Sequence, residues 1–253
     1  MHAEDRQRWI VATVRAEGRL DVSRIADELD VSPETARRDL GSLERLGLVR
    51  RVHGGAYPVE RARFEITLAT RVHSHLAEKR RIGTAALALL GDAESVFVDE
   101  GSTCQVLAEG FPASNRLTVI TSALATASMI DANTGATVVV LGGRLRGKTQ
   151  ATVDHWAARM LRDMVVDVAL IGANGVSLRH GLTTPDPAVA AVKTQAVESA
   201  RRRILVADHT KFGADSFCRF ADVRDVDVIV TDTGLSAATA TRYQLLGPEV
   251  VRA

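Results

Sequence analysis

Three features of the sequence predict an α/β fold: a mostly parallel sheet with helices on both faces, preceded by a small winged helix-turn-helix domain. From residue 96 onward, short β-branched runs alternate with helical segments, and near-continuous apolar strands imply a parallel sheet covered on both faces. Ahead of them, residues 31–56 combine an amphipathic helix, a short strand and a glycine turn. The third feature is size. With 253 residues, 46% hydrophobic and only 4% aromatic, the chain suits one large or two ordinary domains built on Ala, Val and Leu. The boundaries expected are a first domain at 1–56, a linker at 57–75 and a second domain at 76–253.

In the first domain, the spacing of Ile10, Val11 and Val14, with Trp9 at the rim, predicts a helix over 4–17 that Gly18 breaks. Asp21 is expected to cap a second helix, 22–29, with Ile25, Ala26 and Leu29 inward. Asp30-Val31-Ser32 is then a tight turn. Ser32 suits an N-cap and Pro33 the first helical position, where a missing N–H costs nothing. Ala36, Leu40, Leu43 and Leu46 recur at three- and four-residue steps and make one apolar stripe. The other face carries Thr35, Arg38, Ser42 and Arg45, with Arg37 at its edge. Gly47 stops the helix, and 48–52 reads as a strand entering a His53-Gly54-Gly55 turn. Helices this short need each other's packing to be stable.

An amphipathic helix with arginines in its first two turns suits a DNA major groove, where its leading side chains meet base edges or phosphates. Acidic Glu34, Asp39 and Glu44 are interspersed with Arg37, Arg38, Arg45, Arg50 and Arg51, and Glu34 is spaced to pair with Arg38. With a net charge of +1, this patterning points to selective binding rather than indiscriminate coating of nucleic acid. The candidate DNA contacts are Ser32, Thr35, Arg37, Arg38, Ser42, Arg51 and His53.

These residues also carry a resemblance. Val31-Ser32-Pro33-Glu34-Thr35-Ala36-Arg37-Arg38-Asp39-Leu40, followed by Arg51-Val52-His53-Gly54-Gly55-Ala56, resembles the signature of the DeoR family of bacterial transcriptional regulators. That signature usually reads V-S-x-x-T-[IV]-R-R-D-L, so Ala36 departs from it on the buried side. The resemblance implies a DNA-binding regulator, by family habit a repressor.

In the second domain, strands are predicted at 96–98, 117–120, 137–141, 166–171, 204–207 and 228–231. Helices are predicted at 104–109, 123–132, 154–162, 188–200 and 236–243. Ligands of such sheets bind beyond the carboxyl ends of the strands. Those ends read Asp99-Glu100-Gly101-Ser102-Thr103, Thr121-Ser122, Gly142-Gly143-Arg144, Gly172-Ala173-Asn174-Gly175 and Asp208-His209-Thr210-Lys211. A Gly-Ser-Thr turn before a helix offers N–H groups and hydroxyls suited to a phosphate. Five such ends on one edge predict a pocket for a small, polar, anionic molecule.

Lysine usage sharpens the prediction. Only four of the 32 basic residues are lysine, at 79, 148, 193 and 211, and three of the four lie in or near these loops. A compact ammonium is a different tool from a planar guanidinium. The candidate effector contacts are Asp99, Gly101, Ser102, Thr103, Thr121, Ser122, Gly142, Gly143, Lys148, Asn174, Lys193, Asp208 and Lys211.

The loops resemble the DeoR C-terminal domain, whose fold is similar to ribose-5-phosphate isomerase and CoA transferases. The family's D-x-G-T-T stands here as Asp99-Glu100-Gly101-Ser102-Thr103, and its T-N-S as Thr121-Ser122-Ala123. Leu141-Gly142-Gly143 and Asp208-His209-Thr210-Lys211 match its L-G-G and D-[SH]-[ST]-K. The resemblance implies a phosphorylated sugar or related metabolite as effector, double-stranded operator DNA as partner, and self-association into dimers or tetramers. An isomerase of this fold is the alternative, since moving a proton between carbons needs a carboxylate base. The isomerases it resembles carry a D-G-A-D run where this chain has Ile171-Gly172-Ala173-Asn174, with an amide in place of the last acid. A purely architectural DNA-binding protein is a third class, disfavoured by the polar strand ends.

Cys104 and Cys218 lack metal or disulfide-framework spacing, and thiols in a reducing cytoplasm are expected. His73 and His75 form an HxH without a third ligand at a plausible spacing. No leader and no apolar run of about 18 residues is present, so no membrane association is expected. The expectation is a cytoplasmic protein without metal or cofactor.

Overall fold

The computed structural model describes residues 3–17, 19–46, 48–52, 54–58 and 68–253. Gly18, Gly47 and His53, each given a role above, lie outside the described residues, as does 59–67 of the expected linker. The chain divides into two units, Met1–Ile66 and Thr67–Ala253.

The first unit contains α1 (Ala3–Glu17), β1 (Leu20–Asp21), α2 (Val22–Leu29), α3 (Pro33–Arg45), β2 (Val49–Val52) and β3 (Gly55–Pro58). Ile10, Val14, Leu20, Ile25, Ala36, Leu40, Leu43 and Val49 share one core, so the predicted apolar stripe of α3 faces inward. Leu46 departs from it and is 57% exposed, because it caps the helix after the last full turn. The wing is a three-stranded antiparallel sheet in the order β1-β3-β2. Pairing in that sheet explains why Asp21 is not a side-chain cap. Its backbone sits opposite Gly55, and its carboxylate accepts from Arg19 Nε at 3.0 Å.

Two charges in α3 differ from the sequence expectation. Asp39 is buried and accepts from Arg6 Nε at 2.8 Å and Gln7 Nε2 at 3.1 Å. It ties α3 to α1 instead of diluting the arginine face. Glu34 pairs with Arg37 at 3.3 Å, not with Arg38.

The second unit begins with α4 (Leu68–His73) and α5 (Leu76–Ala88), so part of the expected linker is helical and belongs to this unit. There follow β4 (Ser95–Val98), α6 (Ser102–Ala108), β5 (Thr118–Thr121), α7 (Leu124–Thr134) and β6 (Thr137–Val140). The chain continues through β7 (Arg144–Arg146), β8 (Ala151–Val153), α8 (His155–Arg162), β9 (Val166–Ile171), β10 (Gly175–Ser177) and β11 (Gly181–Thr184). It ends with α9 (Pro187–Ser199), β12 (Ala200–Val206), β13 (Cys218–Ala221), β14 (Val228–Thr231), α10 (Ala237–Gln244) and β15 (Glu249–Arg252).

Seven strands form one sheet in the order β15-β14-β12-β9-β4-β5-β6, and every neighbouring pair is parallel. Side chains alternate between two cores, as the pleat requires. Phe97, Ile120, Ala169, Leu205 and Ile229 face one; Val96, Val98, Val119, Val168, Ile204 and Val230 face the other. The β7–β8 hairpin and the β10-β11-β13 antiparallel sheet have strands too short for periodicity to reveal. β12 starts four residues before the predicted strand, because Arg202 and Arg203 find partners at Leu89 O (2.8 Å) and Asp227 (2.9 Å). Among the described residues, no helix is long and apolar enough to cross a membrane.

From β4 the chain winds outward to β6, then returns to β9 on β4's other side. The order therefore reverses between β4 and β9, the kind of crevice in which open α/β sheets hold ligands.

Candidate functional sites

The first site is the exposed face of α3. Ser32 accepts from Thr35 N at 3.2 Å, and the two hydroxyls lie 2.9 Å apart, so both are tied into the cap. Ser42 accepts from Arg45 Nη2 at 3.2 Å. Arg51 donates its backbone N–H to Glu44 Oε1 at 3.1 Å, and its guanidinium lies 3.9 Å from the same carboxylate. Arg37 leans on Glu34. Arg38 is exposed and has no ion pair among the described residues. It is the least compensated guanidinium among the candidates on this helix, hence the best placed for a phosphate or base edge. His53 lies outside the described residues.

The second site starts at the reversal between β4 and β9. Lys193, reaching in from α9, donates to the Asp99 carboxylate and to Gly172 O at 3.0 Å. Asp99 also accepts from Gly172 N at 2.9 Å. Burial pushes the Lys193 ammonium toward neutrality, but the Asp99 and Glu100 carboxylates outweigh it and hold its pKa above the ordinary value. Beside it, burial raises Glu100 against the pull of Lys193, and the Asp99 charge adds to the rise. The Lys193 charge is thus already spent on two acids.

Two further lysines, Lys79 and Lys211, gather near the end of β12. Asp208, buried at the end of that strand, accepts from Thr210 N at 3.0 Å and lies 3.8 Å from Lys211 Nζ. Lys79, near the start of α5, is buried and donates to Arg71 O and Ser74 O. Burial lowers its pKa to about 8, with Asp208 pulling upward and Lys211 and Arg71 pushing further down. Lys79, Asp208 and Lys211 therefore share one electrostatic neighbourhood.

The remaining candidates separate into groups. Gly101 precedes α6 with extended backbone, and Ser102 and Thr103 are buried behind it. Thr121 accepts from Ala123 N at 3.1 Å. Asn174 accepts from Thr184 Oγ1 at 3.2 Å. Lys148 is exposed, and its carbonyl accepts from Leu68 N at 3.2 Å. Gly142 and Gly143 line a shallow groove of about 600 Å³ with Arg144, Asp154, Trp156 and Met160. β6 and β12 are four strand spacings apart, roughly 19 Å, so that groove is not part of the β12 neighbourhood.

Among the described residues, several buried side-chain oxygens on this edge make no hydrogen bond: Asp99 Oδ1, Glu100 Oε2, Ser122 Oγ, Asp208 Oδ2 and Thr231 Oγ1. Native proteins leave few such atoms unsatisfied, and each calls for a partner.

Comparison with known proteins decides the wider assignment. Residues 6–62 match the DeoR-like helix-turn-helix domain, and residues 74–233 match the DeoR C terminal sensor domain. The chain belongs to the DeoR family. Its DeoR relatives include the HTH-type transcriptional regulator GlpR of Haloferax volcanii, 33% identical over 98% of this chain and 96% of the relative. The transcriptional repressor AccR of Agrobacterium fabrum is 32% identical over 91% and 90%. The HTH-type transcriptional repressor GlcR of Bacillus subtilis is 31% identical over 92% and 89%. Among solved structures, ribose 5-phosphate isomerase A of Methanocaldococcus jannaschii has a TM-score of 0.39 and 16% identity over 55% of each chain. The chain is a DNA-binding transcriptional regulator of the DeoR family.

Within this DeoR sensor unit, sequence reasoning did not single out Lys79, His209 or Asp232 as contacts. A signal for the last was present: Asp99 and Asp232 directly follow β4 and β14, and Asp208 follows β12 after one residue, all in the same sheet. Lys79 stood out only as one of four lysines, because its distance in sequence from Asp208 hides their proximity.

Proposed function

We propose that this chain is a cytoplasmic, homo-oligomeric repressor of carbohydrate-metabolism genes. It binds double-stranded operator DNA through α3 and the wing, with Arg37, Arg38 and Arg51 on phosphates or guanines and Ser32, Thr35, Ser42 and His53 nearby. One short helix reads too few base pairs for selectivity, so two copies act on paired half-sites. A phosphorylated sugar or related metabolite binds the sensor unit and releases the operator.

The observation that carries this reading is the set of buried oxygens without partners along this sheet edge, of which Asp208 Oδ2 lies beside Lys79 and Lys211. Ammonium groups suit a phosphate, and unsatisfied carboxylate and hydroxyl oxygens suit the hydroxyls of a sugar. Asp99, Gly101, Ser102, Thr103, Thr121, Ser122, Asn174, Asp208 and Lys211 supply the surroundings. Lys193 acts by holding Asp99, while Lys148, Gly142 and Gly143 stand at the margin.

A melting-temperature screen over sugar phosphates tests the sensor half, because a ligand of the native state must stabilise it. The expected result is a rise with one or a few of them, and loss of operator binding in gel shifts with the same compounds. Linkage requires operator DNA to weaken that metabolite's binding by the same factor. Equal metabolite affinity with and without operator would rule the coupling out.

A further inference from the structure

A second pair on the same sheet edge has no role so far. Asp232, buried at the end of β14, accepts from His209 N at 2.8 Å and from Gly234 N at 2.9 Å. The same carboxylate lies 2.8 Å from His209 Nδ1. Burial opposes the charge on Asp232, yet the N–H donors of His209 and Gly234 outweigh it and keep the group below the usual carboxylate range. A carboxylate can only accept, so Nδ1 carries the proton. Gly234 is needed for the arrangement, since a Cβ there would lie 2.5 Å from His209 Nδ1 and 2.6 Å from Asp232 Oδ2. On the ring's other flank, His75 at the start of α5 packs edge-on with centroids 5.4 Å apart. Orientation, tautomer and rotation of the imidazole are therefore all restricted. The side chain is nonetheless one-third exposed, so its restrained ring can meet a molecule from outside.

Resting on the sugar-phosphate reading above, we propose that His209 is a specificity-determining contact of the effector, with Asp232 as its positioning residue. With Nδ1–H committed to Asp232, the ring in its neutral form presents Nε2 as a hydrogen-bond acceptor. An acceptor is matched by a hydroxyl and not by a phosphate oxygen. The neighbouring ammonium groups, Lys211 and Lys79, take the anion, and Asp208 adds a second acceptor. His209 thus distinguishes a polyhydroxy phosphate from inorganic phosphate.

Two measurements test this. Nitrogen-15 spectra of the full-length protein, labelled at histidine and recorded without ligand at mildly alkaline pH, should show His209 as the Nδ1–H tautomer. An Nε2–H tautomer would overturn the proposal, and this arm needs no variant to fold. Titration calorimetry then compares wild type with His209→Ala and the bulkier His209→Gln, using glucose 6-phosphate, fructose 1-phosphate, glycerol 3-phosphate and inorganic phosphate as probes. We expect about a tenfold loss, one ordinary hydrogen bond, for whichever organic phosphate wild type binds best. Inorganic phosphate should bind both forms alike. Equal loss for both probe types, or no loss for either, overturns the role of His209. Binding of inorganic phosphate without any tighter organic phosphate overturns it too. Wild type that binds none of the four overturns the sugar-phosphate reading itself, and this proposal with it.

Discussion

Lys193 donates its ammonium to the Asp99 carboxylate at the point where the strand order reverses, and the two side chains are only 3% and 1% exposed. The pair joins α9 to the end of β4. Removing one partner of such a pair strands a buried charge, whereas replacing both can be nearly neutral.

Lys193→Met is therefore expected to lower unfolding stability by about 3–5 kcal/mol, and Lys193→Met with Asp99→Asn should recover much of it. Urea denaturation of the three proteins checks this. A single variant of full stability that no longer answers its metabolite would make Lys193 a ligand contact instead.

Lys79 carries a pH dependence. Its value of about 8 in the folded chain lies below its ordinary 10.5, so between those values the folded chain binds fewer protons than the unfolded one. Stability gains from this group as pH rises through that window. Anion binding runs the other way, because the ammonium is lost above pH 8. The affinity of the bound organic phosphate should fall between pH 7 and 9 in wild type and stay flatter in Lys79→Met. Parallel pH profiles in calorimetry would remove Lys79 from the anion site.

Arg38 is expected to dominate the α3 face. If it reads a base, Arg38→Ala costs about 1–3 kcal/mol of operator affinity and relaxes selectivity at one position. If it holds a phosphate, binding weakens on all sequences and the salt slope falls by about one. Gel shifts over a salt series separate the two outcomes, and unchanged binding excludes both.

Much of this was readable from local pattern. Helix α3 was visible because its cap, its proline and its apolar spacing all lie within about 15 residues of each other. The parallel sheet was visible because its strands are buried on both faces and hence continuously apolar. Charge destinations were not. Asp39 looked like a surface acid, since nothing in α3 tells that Arg6 of α1 turns toward it. Nothing beside Lys193 in the sequence points to its partner Asp99, which lies 94 residues away.

The sequence by itself determined the order of the elements, the recognition helix and the set of polar strand ends, because each depends on neighbours along the chain. Only the tertiary structure decided which of those ends share a neighbourhood. Strand order sets that, and it moves Gly142 and Gly143 away from Asp208 while bringing Lys79 and Asp232 to it. Covalent spacing governs helices and strands; the partner of a buried charge is chosen by the fold that excludes water from it.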